Sequence, residues 1–216
     1  MPEQLLFKYR TLENWRFLLD ILINNRLFAA PFKDLNDPME GRYYYYGDEM
    51  TKAFRKLVRA RKDEWRICSL TKDPQNTLMW SYYSAGHTGV ALGLTVPNSA
   101  SDRIKDVYYD SHIGIGPSSQ RRPARDVALD ILSQKQLSWS HEREVRVFSP
   151  RPYVPIRLRE IRVGCKASTS DRELLEMLVR KTNPRVRILR VTRADLDAPP
   201  EAFQEATQLA RTGQLR

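Results

Sequence analysis

The apolar residues of this chain recur with two different periods, and the order in which those periods follow one another limits the possible folds more than any other feature. "LLFKYR" (5–10) alternates enough to predict a first strand. Trp15, Leu18, Leu19, Leu22 and Ile23 then take the i, i+3, i+4, i+7, i+8 spacing of an amphipathic helix. A basic amphipathic helix is predicted at about 49–63 and a buried strand, "WRICSLT", at 65–71. Asp73 is placed to cap the next helix, with Pro74 at its first position and Gly86 at its end. Strands at 89–96 and 105–110 precede the most loop-like stretch, 110–122, and a helix at about 124–136. After the strand ending "EVRVF", further strands are expected at 156–164 and 185–192. Between those two lies a helix with a Ser170–Glu173 capping box, and a terminal helix spans 199–213. Strict β–α–β alternation is absent. That order predicts one α+β domain over 1–216 with a mixed, mostly antiparallel sheet flanked by helices. Its motif-bearing part is 1–148, its closing strands and helix 149–192, and its C-terminal helix 193–216.

Composition narrows the class. The chain has 216 residues, 41% apolar and 10% aromatic, which fits a packed domain rather than wholesale disorder. No apolar run approaches the roughly 18–20 residues that cross a bilayer, and "MPEQLLFKYR" lacks a basic flank with an apolar h-region. A cytoplasmic protein without a membrane partner is expected. Cys68 and Cys165 stand alone in strand-like contexts, as reduced thiols would, and His87, His112 and His141 are too scattered for a zinc site. No metal site is therefore expected. The net charge of +10 favours polyanionic partners, DNA or RNA or a protein bound to them. That charge concentrates in "KAFRKLVRARK" (52–62) and "SSQRRPAR" (118–125).

Chemistry is suggested most strongly by "WSHEREVRVF" (139–148). On a strand, residues two apart share a face, which puts Glu142, Glu144 and Arg146 together. A solvent-facing edge strand carries such charges to discourage sheet extension. A cleft floor carries them to stabilise a developing cation or to grip a hydroxyl. A third reading joins Glu142 and Glu144 with Asp37 or Glu40 around a divalent metal. Lys8, Tyr9 and Arg10 end the first strand, where Arg10 offers a planar fork to a phosphate. In "LMWSYYSAGHTG", Leu78, Met79, Tyr82 and Tyr83 are expected to share one helix face, with Trp80 diverging. His87 reads as a satisfied turn residue. "YYYY" (43–46) is either a half-exposed strand or a stacking platform for a base. Asn36 and Asp37 before Pro38 predict a local turn.

"FKYR", "FKDLNDPMEG", "ICSLT", "NTLMWSYYSAGHTGVALGL", "VYYD" and "WSHEREVRV", in that order, resemble the bacterial domain-of-unknown-function family 2971 over most of residues 6–148. A more remote similarity is to the ADP-ribosyltransferase superfamily, whose split mixed β-sheet binds NAD in its cleft. That resemblance implies NAD as substrate, with Arg10 or Lys8, beside Tyr9, holding its phosphate or ribose. It implies Ser69 and Thr71 on the second motif strand, and Tyr82 or Tyr83 stacked on nicotinamide. Glu144, with Glu142, becomes the catalytic carboxylate, supported by Asn36, Asp37, Trp80 and Arg146. The second element here is "CSLT" rather than Ser-Thr-Ser. The expected function is thus a cytoplasmic NAD-dependent ADP-ribosyltransferase of the toxin or phage-defence effector kind, with room for an antitoxin or immunity partner. On this reading Glu144→Gln abolishes transfer and leaves the fold intact. The alternatives are a non-enzymatic nucleic-acid-binding domain using 52–62 and the tyrosines, and a metal-dependent nuclease.

Overall fold

The structure, a computed structural model, describes residues 4–45, 51–97 and 103–197. It is α+β with a mixed, mostly antiparallel sheet, and the chain forms two compact units. One takes in Arg26–Lys72 and Val96–Ile156; the other takes in Leu5–Asn25, Asp73–Thr95 and the chain from Arg157 onward. The predicted helix at 199–213 and Tyr46 lie outside the described residues.

In the second unit, β1 (Leu6–Arg10) pairs antiparallel with β3 (Val90–Thr95), which pairs antiparallel with β6 (Arg157–Val163). β7 (Arg187–Arg190) runs parallel to β6 and is the non-antiparallel element of this half. Every residue of β3 is buried, as its unbroken apolar run predicts for a strand covered on both faces. Gly93 is required there, because a Cβ would stand 2.6 Å from the buried Glu160 side chain.

The helices Trp15–Asn24, Thr77–Tyr83 and Thr169–Thr182 of this half each differ in phase or cap from the expectation. Helix α1 (Trp15–Asn24) buries Leu18, Ile21 and Leu22, while Ile23 is exposed. The apolar stripe therefore runs through Ile21, one residue from the predicted line. Helix α3 (Thr77–Tyr83) starts three residues later than expected, because Asn76, not Asp73, caps it by accepting the Leu78 and Met79 N–H groups. Its core face carries Met79, Trp80 and Tyr83, with Leu78 and Tyr82 exposed. Trp80 does not diverge from the core: it packs edge-on against Tyr9 at 5.1 Å and is wholly buried. Helix α5 (Thr169–Thr182) is capped by Ser168, which accepts the Asp171 N–H at 3.0 Å, two residues before the predicted box.

In the first unit, β2 (Arg66–Thr71), β4 (Arg103–Asp106) and β5 (Glu144–Ser149) form an antiparallel group with β5 in the middle. Helix α2 (Lys52–Asp63) begins at a Thr51 cap and packs Val58 against Val127, Ala128 and Ile131 of α4 (Ala124–Ile131). Helix α4 ends at Ile131, five residues before its predicted end, and Gln134–Gln136 forms a short strand parallel to Tyr108–Asp110. The stretch read as loop holds a short strand, Gly114–Ile115, paired with Tyr44–Tyr45, and a 3₁₀ turn, Pro117–Arg121. A second core cluster joins Phe32, Trp65, Ile67, Leu129, Leu132 and Phe148.

Candidate active site

Strand β5 starts at Glu144, not at Glu142. Glu142 ends a 3₁₀ turn, Leu137–Glu142, and Arg143 follows with φ 43, a left-handed kink that resets the chain before the strand. The period-two argument therefore holds for Glu144 and Arg146 but not for Glu142. Nor is this an edge strand, since β5 is paired on both sides and buried throughout. Solvent-facing charge alternation is excluded by that placement.

The antiparallel register sets Glu144 opposite Thr71 and Arg146 opposite Ser69. Paired residues of neighbouring strands project to the same side, so these four share one face. Arg146 is wholly buried and divides its guanidinium between two carboxylates. Its Nε and Nη2 donate to Glu144 at 2.8 and 3.0 Å, and its Nη1 and Nη2 donate to Glu40 at 2.5 and 2.8 Å. Its Nη1 also donates to the Leu132 carbonyl at 2.5 Å. Lys135, from the short strand after α4, donates to Glu142 at 2.6 Å and approaches Glu144 at 3.5 Å. The Lys135 ammonium also lies 4.6 Å from the Trp139 ring centre. The Glu144 N–H donates to the Tyr109 hydroxyl at 2.8 Å.

Burial disfavours the charge of Glu144, but the Arg146 guanidinium, its hydrogen bonds and Lys135 outweigh that and hold the carboxyl down to about 2. Glu40 has the opposite balance: its burial outweighs the same guanidinium and raises it. Burial likewise pushes the Tyr109 hydroxyl up, so it stays protonated. Glu40, Glu142 and Glu144 thus meet Arg146 and Lys135 in a space closed to water. Removing Glu144 leaves Arg146 with half its counter-charge. Glu144→Gln is therefore expected to lower the protein's stability.

Glu40 and Lys135 complete this cluster. Asp37 is buried and accepts the Met39 N–H at 2.9 Å, the predicted local turn, with Asn36 exposed beside it; this turn carries Glu40 inward. Glu40 entered the sequence reading only as a metal ligand, and its oxygens are spent on Arg146 instead. Lys135 was hidden by the predicted helix end, where a lysine between two glutamines reads as solvated. Among the described residues, no group of three His, Cys, Asp or Glu side chains is placed to hold a metal.

The other predicted residues belong to the second unit. Lys8 and Arg10 share a face of β1 and are half-buried. Tyr9 faces the other way into the core, with its hydroxyl donating to the Asp73 carbonyl at 3.1 Å and burial raising it. Tyr9 and Trp80 thus make the contacts of core side chains. Tyr83 packs half-buried beside them, and Tyr82 is 63% exposed. His87, at φ 73, stacks on Trp80 and pairs Nε2 with the Ser81 hydroxyl at 3.2 Å, but its buried Nδ1 finds no partner among the described residues. Burial and Lys166 lower it, so the ring is neutral. No helix among the described residues is long and apolar enough to cross a membrane. No protein family, curated protein or solved structure was found to match the chain.

Proposed function

We propose that this protein is an NAD-dependent ADP-ribosyltransferase with Glu144 as its reacting carboxylate. One observation carries the reading: Glu144 heads its strand as a buried anion directly beside Ser69 and Thr71. The C1′–N bond between ribose and nicotinamide breaks with its electron pair going to the nicotinamide nitrogen. C1′ is left as an oxocarbenium cation, which a fixed carboxylate in a dry site stabilises without reorganisation. An acceptor oxygen or nitrogen then bonds to C1′ and releases its proton to water. Lys135 approaches Glu144 at only 3.5 Å, and that is the contact a ribose hydroxyl would replace.

The test is incubation with cell extract and NAD labelled in its adenylate half. Free nicotinamide and label on a macromolecule are expected, with transfer about 100-fold slower in Glu144→Gln. Circular dichroism would verify that the variant is folded. Absence of both products with the native protein overturns the proposal. So do native rates in both Glu144→Gln and Glu142→Gln.

A further inference from the structure

A cavity of about 940 Å³, at the upper end for small-ligand sites, opens in the first unit between helix α2 and the loop after Phe32. We infer that it binds single-stranded nucleic acid, with phosphates on α2 and a base on Tyr44. Its use as the acceptor of ADP-ribose rests on the transferase reading; the binding does not.

Arg55 and Arg59, one turn apart on α2, line the cavity with Lys56, and Arg42 joins them from the loop. Like charges four apart weaken a helix, so this stripe costs stability unless something offsets it. Among the described residues no carboxylate pairs with Arg42, Arg55, Lys56 or Arg59. Lys33 and Arg61, in contrast, pair with Asp63 at 2.7 Å and Glu64 at 2.5 Å. The uncompensated charge is therefore gathered on one wall, where a phosphate backbone would neutralise it.

The aromatic component is fixed by Lys62. Its buried ammonium donates to the Gly41 carbonyl at 2.6 Å and lies 5.2 Å from the Tyr43 ring centre, tying the loop to the helix. Burial lowers Lys62 from the ordinary lysine value. Next in the chain, Tyr44 stands 65% exposed in the cavity lining. Cations along a groove with an exposed ring beside them suit a strand whose bases are unstacked. A duplex keeps its bases inside, and a flat anionic bilayer does not enter a concave site.

The experiment is fluorescence anisotropy of the full chain, without NAD, against a labelled single-stranded oligonucleotide, its duplex and anionic phosphatidylserine vesicles. Single-strand binding is expected to weaken at least tenfold in the double variant Arg55→Glu/Arg59→Glu. Its log–log salt slope should become shallower by about 1.4, from two lost phosphate contacts. Tyr44→Ala should weaken binding about fivefold or more through lost stacking. All three side chains are exposed, so the variants should fold. Equal binding by the charge-reversed and native proteins overturns the inference, as does tighter binding of duplex or vesicles than of single strand. Transfer of ADP-ribose with no strand affinity sinks this inference alone. Strand affinity with no nicotinamide release sinks the transferase reading alone.

Discussion

Glu144→Gln keeps the shape of the side chain and removes one charge from a cluster closed to water. Moving a carboxyl from its ordinary 4.5 to about 2 corresponds to about 3 kcal/mol of stability at neutral pH. Breaking a buried pair from one side costs about 3–5 kcal/mol, which agrees in scale. Part of the loss is returned, because the Glu144 charge is one of the causes that raise Glu40. A net loss of about 3 kcal/mol lowers the unfolding temperature of a chain this size by about 6–12 °C. Chemical denaturation followed by circular dichroism measures it directly. Because the folded carboxyl is depressed, its stabilisation is complete above about pH 4.5 and disappears as pH falls toward 2. The gap between native and variant should close over that window. Glu40, raised by burial, works in the opposite direction above its ordinary value, and it is present in both proteins. A deficit below 1 kcal/mol at pH 7, or one as large at pH 3 as at pH 7, would refute the reasoning.

Lys135→Met should cost about 3–5 kcal/mol, and adding Glu142→Gln should recover part of it, as a double-mutant cycle in urea would show. Asn76→Ala should cost about 1 kcal/mol through loss of the α3 cap, measured by the shift in denaturation midpoint. Gly89→Ala should cost about 3 kcal/mol, because the new methyl would stand 2.2 Å from the Arg10 carbonyl oxygen; native stability in that variant would show that the backbone yields there.

Much of this protein was legible in the chain itself. β1, β2 and β3 lie within one residue of their predicted ends, since unbroken or alternating apolar runs bounded by polar residues have little alternative. The side-by-side placement of Glu144 and Arg146 follows from the pleat alone. The turn at Asp37 follows from side-chain chemistry that acts over two residues.

What tertiary structure decided lies where several local answers were nearly equal. Asp73 and Asn76 are both good caps, and the one that lets Trp80 reach Tyr9 starts the helix. Ile21 and Ile23 are equally apolar, and the packing surface chooses Ile21. Most of all, a run of glutamates and arginines does not reveal whether water or protein surrounds it. Sequence determined which charges alternate along the strand. Only the folding of Glu40 and Lys135 onto them, from 106 residues before Arg146 and from seven before Glu142, made them a buried cluster. The reason is physical: pairing energies depend on the dielectric around the charges, and that is set by what packs over them.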